Sequence, residues 1–328
     1  MQWPAILALS AIGLAACQKE GMMPATSTAG LSKTDLTVGL PPILVAWTGG
    51  PAIPYTEYPG DDPSSELYSV GFSVNGKGFV LGGMLMGKTD NYVPDLWEFD
   101  PAAAAWSRMA PFPGDGNLAG ETVFVIGDNA YVIQDKTVWQ YNQPANLWTQ
   151  KANFPGAARQ WATGVSVNGN GYFGLGWNEN THADIKDWWR YDPATDHWTR
   201  MADFGGAARE YAAGLAIGGK AYVGLGNNYD NYSTLWQYDP ATNAWTQKHS
   251  LTGYSGYGGI SAVATIGGVN VGLVLGGTNL YAYDPATDTW VNEGQARGVT
   301  EQGFTACFVI DHSFYVAGIQ MRIYHWSR

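Results

Sequence analysis

A recurring pattern of an aromatic residue, Asp, Pro and a later Trp constrains the fold of this chain more than any other feature. Four copies have their Trp six residues after the Asp, and they begin at Phe99, Tyr191, Tyr238 and Tyr283. Residues 141–148 form a degenerate copy. The repeated tryptophans are separated by 42, 50, 47 and 45 residues and are Trp106, Trp148, Trp198, Trp245 and Trp290. A period near 45 with strand-forming composition is typical of a propeller or a solenoid.

Each repeat reads as four short antiparallel strands. Asp-Pro sets a turn, because Pro fixes φ and the Asp side chain can accept a hydrogen bond from the backbone beyond it. The strand before this turn has aromatic residues two apart, such as Trp189 and Tyr191, which places both rings on one face. Two further strands, separated by a small-residue turn, precede it. We therefore predict propeller blades with large rings between neighbouring sheets.

The repeats also resemble those of the Kelch family. A glycine pair follows the second strand at 82–83 and at 276–277, Tyr-Asp-Pro follows the third strand, and a Trp lies in the fourth. The resemblance covers roughly residues 40–328. It implies an all-β, Kelch-type β-propeller in the superfamily of the galactose oxidase central domain. It indicates little about activity, because such folds serve many functions.

The two ends of the repeat region predict how the propeller closes. The chain ends with Tyr324 and Trp326, which match the aromatic pair of a third strand and have no fourth strand after them. Near the start, Trp47 matches the Trp of a fourth strand. We predict that this N-terminal strand completes the last sheet, which leaves no free edge. The prediction is a six-bladed propeller over residues 39–328.

The N-terminus has the features of an export signal. The apolar run 5–14 is too short to span a membrane as a helix, and it leads into Leu14-Ala15-Ala16-Cys17. This sequence resembles the lipobox of bacterial lipoproteins, which implies a signal peptide over 1–16 and lipidation of Cys17. Residues 17–38 then form a flexible tether. The resemblance implies an outer-membrane lipoprotein, periplasmic or surface-exposed, that meets the membrane only through its lipid. Residues 1–4 lack Lys and Arg, so an ordinary secretory signal remains an alternative.

Charge and composition exclude several classes of function. The chain has 17 Lys and Arg against 28 Asp and Glu, a net charge of −11, which argues against nucleic-acid binding. Its five histidines lack metal-ligand spacing, and Cys307 reads as a buried apolar residue rather than a nucleophile. We expect no metal, no cofactor and a monomer. The copper site of galactose oxidase needs histidines, tyrosines and a Cys–Tyr cross-link that have no match here, so a copper oxidase is not expected.

Charged residues align at the predicted starts of the innermost strands, beside the central channel. They are Glu66, Arg159, Arg209 and Glu301, and Gln160 and Glu210 follow the two arginines. Arginine can hold a carboxylate or sugar hydroxyls, and a desolvated Glu can act as an acid or a base. These four residues are the catalytic candidates. The alternative is that they form ion pairs across blades and cap the channel.

The loops between the second and third strands form the second candidate site. They are rich in amides and aromatic rings, which suit sugar hydroxyls and sugar C–H faces. The candidate ligand-binding residues are Tyr92, Trp177, Asn178, His182, Asn228, Tyr229 and Tyr232. The alternative is that Asn, Asp and Gly are present as turn formers.

Three functions are compatible with these patterns. The first is a lipid-anchored module that binds a glycan or a protein on its loop face. The second follows from a resemblance to the periplasmic N-acetylneuraminate epimerases, which are six-bladed Kelch propellers, and implies a sugar mutarotase that uses the four charged candidates. The third is a scaffold without a small ligand.

Overall fold

The computed structural model describes residues 46–54, 61–67, 69–87, 91–114, 118, 120–254, 260–266, 268–295, 306–317 and 322–327. All regular elements within these ranges are β-strands. A helix that could cross a membrane is not found among them.

The strand bounds follow the chain in this order. The first half contains β1 (Ala46–Ala52), β2 (Asp61–Leu67), β3 (Val70–Val74), β4 (Lys77–Leu81), β5 (Met84–Gly87), β6 (Asn91–Tyr92), β7 (Leu96–Asp100), β8 (Ala105–Arg108), β9 (Thr122–Ile126), β10 (Asn129–Gln134), β11 (Thr137–Asn142), β12 (Leu147–Lys151), β13 (Thr163–Val167), β14 (Asn170–Gly174), β15 (Trp177–Asn178) and β16 (Ala183–Asp184). The second half contains β17 (Trp188–Asp192), β18 (His197–Arg200), β19 (Ala213–Ile217), β20 (Lys220–Gly224), β21 (Asn227–Asn228), β22 (Asp230–Asn231), β23 (Leu235–Asp239), β24 (Ala244–Lys248), β25 (Ile260–Ile266), β26 (Val269–Gly276), β27 (Asn279–Asp284), β28 (Thr289–Gln295), β29 (Cys307–Ile310), β30 (Ser313–Ala317) and β31 (Arg322–Ser327).

Most of these strands form four-stranded antiparallel sheets, and each such sheet is built mostly from one repeat. Five sheets take all their strands from one stretch of chain, and we number them sheet 1 (β3-β4-β7-β8), sheet 2 (β9-β10-β11-β12), sheet 3 (β13-β14-β17-β18), sheet 4 (β19-β20-β23-β24) and sheet 5 (β25-β26-β27-β28). A further sheet, sheet 6, joins β29, β30 and β31 to the distant strand β1. In the described residues, β2, β5 and β6 form a separate three-stranded sheet.

The Asp-Pro turn between the third and fourth strands forms as predicted. In sheet 3, Asp192 Oδ1 accepts a hydrogen bond from the Ala194 N–H at 2.9 Å. The same bond recurs in sheets 1, 4 and 5, with donors Ala102, Ala241 and Ala286. The turn chemistry of the repeat is therefore confirmed by its hydrogen bonds.

Aromatic rings fill the spaces between sheets, which confirms the prediction that large rings lie between neighbouring sheets. The ring of Tyr131 in sheet 2 lies 5.3 Å from that of Tyr191 in sheet 3. Tyr172 in sheet 3 lies 5.6 Å from Tyr238 in sheet 4. Tyr191 and Tyr238 are fully buried. Burial of one such ring contributes roughly 2–3 kcal/mol, so these contacts account for much of the cohesion between sheets.

The repeated Trp of the fourth strand joins neighbouring sheets through its indole N–H. Trp148 Nε1 donates to the Ala110 carbonyl oxygen at 3.0 Å, and Ala110 follows the fourth strand of the preceding sheet. The amide of Ala110 in turn donates to Asn146 Oδ1 at 2.8 Å. Equivalent indole bonds are made by Trp106 to Pro51, Trp198 to Ala152, Trp245 to Ala202 and Trp290 to His249. The fixed spacing between Asp and Trp therefore reflects an inter-sheet hydrogen bond.

Replacing Trp148 with Phe is expected to lower the free energy of unfolding by about 1 kcal/mol more than replacing Trp139 with Phe. Both rings are half-buried in sheet 2 and contact Phe112, but only Trp148 donates a hydrogen bond to another sheet in the described structure. The loss of ring volume is the same, so the difference isolates the indole bond. Urea denaturation measures this difference. Equal losses of unfolding free energy in the two variants would contradict the role of the Trp148 indole bond in joining the sheets.

Candidate functional site

The first strands of sheets 3 and 4 begin next to the loops that join the second and third strands. Gln160 and Trp177 exchange two backbone hydrogen bonds, at 3.0 and 2.9 Å. Glu210 and Asn227 exchange the same pair, both at 3.0 Å. The loops themselves are short hairpins, β15-β16 and β21-β22. The channel-mouth candidates and the loop candidates of these sheets therefore belong to one site.

Arg159 precedes β13 of sheet 3 and is buried. Its side chain is fully buried. Nε donates to the Ala157 carbonyl oxygen at 3.0 Å, Nη1 donates to that of Leu175 at 3.1 Å, and Nη1 and Nη2 both bond the Asp187 carboxylate. Burial opposes ionisation of Asp187, but the hydrogen bonds and charge of Arg159 outweigh it and hold the pKa of Asp187 below its usual value. The alternative of an ion pair across blades does not apply to Arg159, because Asp187 immediately precedes β17 of the same repeat.

Arg209 occupies the same position in sheet 4 and is equally buried, at 1% exposed. Its Nε donates to the Ala207 carbonyl oxygen at 3.0 Å, and Nη1 donates to that of Leu225 at 3.0 Å and to Thr234 Oγ1 at 3.2 Å. The guanidinium carbon lies 4.0 Å from the centre of the Tyr232 ring. Burial lowers the pKa of Arg209 to about 10, so it stays charged at neutral pH.

Three aromatic side chains lie together where these segments meet, and we call them the aromatic cluster: Trp161, Trp177 and Tyr211. The Trp161 ring stacks on that of Tyr211 at 5.0 Å and lies 5.7 Å from that of Trp177. Trp161 and Tyr211 have φ values of 55° and 54°, a region that bulky residues rarely adopt. The Trp161 amide donates to the Gly120 carbonyl oxygen at 2.6 Å, and the Tyr211 amide donates to that of Trp161 at 2.9 Å. Strain that neighbouring structure maintains in this way is concentrated at functional sites.

Two carboxyl groups beside the aromatic cluster titrate near neutral pH. Burial raises the pKa of Glu210 to about 7, and the charge of Asp184 adds to this shift. Burial also raises the pKa of Asp184 to about 6. Glu210 Oε2, Asn227 Oδ1 and Trp161 Nε1 are buried without a hydrogen-bond partner in the described part of the chain. Perturbed carboxyls with unused polar atoms are typical of binding and catalytic sites.

A pocket of about 380 Å³ opens beside this arrangement, between sheets 2 and 3. Its lining is polar and comprises Asp135, Lys136, Thr137, Ala158, Arg159, Gln160, Glu179 and Asn180. Its volume lies within the range of about 300–1,000 Å³ that is usual for small-molecule sites. The pocket adjoins the aromatic cluster, because Gln160 precedes Trp161 and bonds the backbone of Trp177.

Three of the predicted loop residues are engaged within their own sheets. Asn178 is 6% exposed, and its Oδ1 accepts bonds from the amides of Asn180 and Thr181 at 2.8 and 3.1 Å. Asn228 Nδ2 donates to the Ala208 carbonyl oxygen at 3.3 Å, and Tyr232 lies against Arg209. These contacts favour the turn-forming interpretation for Asn178.

The other loop candidates are more open to solvent. Trp177 is half-buried, and the exposed His182 ring lies 5.7 Å from it. Tyr229 is fully exposed at the tip of the β21-β22 hairpin, with φ 60°. Tyr92 is 39% exposed and belongs to the separate sheet β2-β5-β6.

The side chains of three predicted residues lie outside the described structure. Glu66 lies on β2, where its backbone is paired with Leu85, but its side chain is outside the described structure. Glu301 and Cys17 lie outside the described residues. Their proposed roles remain predictions.

Metal and thiol chemistry have no support in the residues that the structure describes. No group of three His, Cys, Asp or Glu side chains there could hold a metal ion. Cys307 Sγ lies 3.7 Å from the Ser261 carbonyl oxygen, and burial raises the pKa of its thiol to about 12. The thiol therefore stays protonated at neutral pH.

Sequence patterns missed part of this site. Trp161 and Tyr211 follow the two arginines in matching segments, Arg-Gln-Trp and Arg-Glu-Tyr, and this local repeat could have revealed them. Glu210 was recognised only as a neighbour of Arg209. Asp184 has no sequence signal, because its proximity to Glu210 arises from the folding of the β15-β16 hairpin.

Comparison with known proteins identifies the fold. No family model and no curated relative matches this sequence. Many solved structures resemble it. One, titled "Structure of YjhT", matches with a TM-score of 0.63 and 14% identity over 80% of this chain and 94% of that chain. At this identity the likeness concerns the fold alone, and membership of the Kelch family remains a prediction. Together with the arrangement of the sheets, it identifies this chain as an all-β protein with a β-propeller fold.

Proposed function

We propose that this protein is a lipid-anchored, extracytoplasmic β-propeller that binds a carbohydrate at the site shared by sheets 3 and 4. The observation that carries the proposal is the aromatic cluster of Trp161, Trp177 and Tyr211 beside Glu210, in which Trp161 and Tyr211 have strained backbone. Aromatic faces stack on sugar C–H groups, and carboxylate and amide groups bond hydroxyls. The site combines both kinds of group.

We also infer that the propeller has six Kelch-type blades, the last completed by β1. Three observations support this. Trp47 of β1 is paired with Trp326 of β31. Trp106 of sheet 1 donates to Pro51 of β1 at 3.2 Å, which repeats the bond that joins successive sheets from sheet 1 to sheet 5. Finally, a Cβ on Gly71 would lie 2.4 Å from the Cys307 carbonyl oxygen, so β3 of sheet 1 approaches β29 of sheet 6 as only a glycine permits.

The location and partners of the protein follow from its sequence. The lipobox-like segment that ends at Cys17 supports an outer-membrane lipoprotein, with attachment through the lipid and the tether. The net charge of −11 argues against nucleic acid as a ligand. We propose a monomer without a cofactor or metal. A protein ligand is the second possible partner of the loop face, where Tyr229 is fully exposed.

Loss of either indole ring is expected to weaken carbohydrate binding by at least about tenfold, because each provides a stacking face. A glycan screen identifies a ligand, and calorimetry then compares wild type with Trp161→Asn and Trp177→Ala. Asn is chosen at 161 because it tolerates a positive φ.

Leu147→Ala is the matched control for this test. Leu147 is an exposed apolar residue, 59% exposed, and is the first residue of β12, remote in the fold from the hairpins of the site. Leu147→Ala should therefore leave carbohydrate binding unchanged. Binding that survives both indole substitutions at wild-type strength would remove the aromatic cluster from the proposed function.

A second candidate function is interconversion of sugar anomers, as the resemblance to N-acetylneuraminate epimerases implies. The observation that favours it is Glu210, whose pKa of about 7 suits an acid–base group at neutral pH. Ring opening moves one proton from the anomeric hydroxyl and one to the ring oxygen. A half-protonated carboxyl can perform either transfer. Exchange between sialic acid anomers, followed by NMR, tests this activity directly.

A further inference from the structure

Arg159 and Arg209 occupy equivalent positions in sheets 3 and 4, yet only Arg159 has a carboxylate partner in the described structure. In sheet 3, Asp187 Oδ2 accepts bonds from Arg159 Nη2 at 3.0 Å and from Trp189 Nε1 at 2.9 Å. In sheet 4 the matching residue, two before the tryptophan, is Thr234. Its Oγ1 accepts a bond from Arg209 Nη1 at 3.2 Å.

The change from Asp to Thr leaves two donors without the acceptor that they have in sheet 3. Trp236 is the counterpart of Trp189, and its Nε1 is buried with no hydrogen-bond partner among the described residues. Arg209 is 1% exposed, and the hydrogen bonds of its guanidinium within the same residues are made by Nε and Nη1. A buried charge without an opposing charge is costly, and buried cations are normally paired.

The two donors lie near the same position beside Gly206, which the Phe204 ring also approaches. A Cβ placed on Gly206 would lie 2.9 Å from Arg209 Nη2 and 2.9 Å from Trp236 Nε1. The rings of Phe204 and Tyr232 lie 5.0 and 4.0 Å from the guanidinium carbon. They form low-dielectric walls in which attraction between opposite charges is strong.

We propose that Arg209 Nη2 and Trp236 Nε1 bind a small monovalent anion, either a halide ion or a carboxylate group, where Asp187 supplies its own carboxylate in sheet 3. One negative charge balances the one guanidinium, whereas a dianion would leave a buried charge uncompensated. The inference is independent of carbohydrate binding, because it depends on residues of sheet 4 that the proposed function does not use.

Anion binding should appear as stabilisation of the native protein. The full chain is melted at constant ionic strength while methanesulfonate is replaced by chloride, bromide, formate or acetate. Binding to the native state alone raises the melting temperature with anion concentration, by about 2 °C or more at saturation. A response to halides alone indicates a free ion, and an equal response to formate and acetate indicates a carboxylate.

Three variants test whether the response arises from this arrangement of residues. Thr234→Asp supplies an internal carboxylate and should abolish the anion response. Trp236→Phe keeps most of the ring but removes the N–H, and it should weaken the response severalfold. Asp187→Thr copies sheet 4 into sheet 3 and should add a second anion response.

Crystals soaked in bromide provide a readout that does not depend on folding of the variants. The expected result is an anomalous peak within hydrogen-bond distance of Arg209 Nη2 and Trp236 Nε1. The proposal is overturned if halides stabilise the protein but no peak occurs there, or if wild type and Trp236→Phe melt with the same dependence on every anion.

Discussion

Asp187→Ala is expected to lower the free energy of unfolding by about 3–5 kcal/mol, the largest stability effect that we predict for a single substitution. The side chain of Arg159 is fully buried, and Asp187 balances its charge through bonds from Nη1 and Nη2. The same carboxylate accepts the Trp189 indole N–H at 2.9 Å. Alanine therefore leaves a buried cation and a buried donor uncompensated. Urea denaturation in chloride-free buffer measures the loss.

Thr234→Ala is the matched control, since Thr234 has the same position in sheet 4. Thr234→Ala removes one neutral acceptor of Arg209, whose Nη1 lies 3.2 Å from Thr234 Oγ1. The substitution should lower the free energy of unfolding by only about 1 kcal/mol. Equal losses of unfolding free energy for Asp187→Ala and Thr234→Ala would contradict the role of Asp187 as the counter-charge of Arg159.

The cost of Asp187→Ala should also depend on pH. The folded pKa of Asp187 is lowered, so its contribution is fully present above the unfolded value near 3.8 and is lost as pH falls through the folded pKa. The difference between wild type and variant should therefore shrink in acid. A difference that stayed constant from pH 7 to pH 2 would argue against an ionised Asp187 in the native state.

The sheets were predictable because their signals are local. The Asp192 turn depends on residues that are adjacent in sequence, and the alternation of Trp189 and Tyr191 fixes one face of a strand. Pairing of Trp47 with a strand almost 280 residues away was predictable only because the repeat revealed which strand each end lacked.

The site was less predictable because its chemistry depends on distant partners. Arg159 and Arg209 lie in nearly identical segments, yet their environments differ because of Asp187 and Thr234, 28 and 25 residues further along the chain. The pKa of Glu210 is raised mainly by burial, which no residue pattern reports. Sequence thus located the charged positions but not their roles.

Glu210→Gln is expected to reduce any anomer exchange by roughly 10²–10⁴-fold, because it removes the group that transfers the proton and keeps the shape of the side chain. The wild-type rate should follow ionisation with a pKa of about 7. Asp184→Asn removes the neighbouring negative charge and should move that midpoint to lower pH. Glu179→Gln is the control, because Glu179 is an exposed carboxylate at the adjoining pocket.

Glu210→Gln should also change the pH dependence of the free energy of unfolding, whether or not the protein is an enzyme. The folded pKa of Glu210, about 7, exceeds its value of 4.5 in the unfolded chain, so the native state binds the extra proton between these pH values. The contribution of Glu210 to native stability therefore falls as pH rises from 4.5 to 7, and the loss is complete above 7. Glu210→Gln removes this loss, so the variant should match wild type at pH 4 and exceed it at pH 8 in urea denaturation. A wild type that is the more stable protein at pH 8 would mean that Glu210 ionises favourably in the native state, and its assignment as a neutral-pH acid–base group would then be wrong.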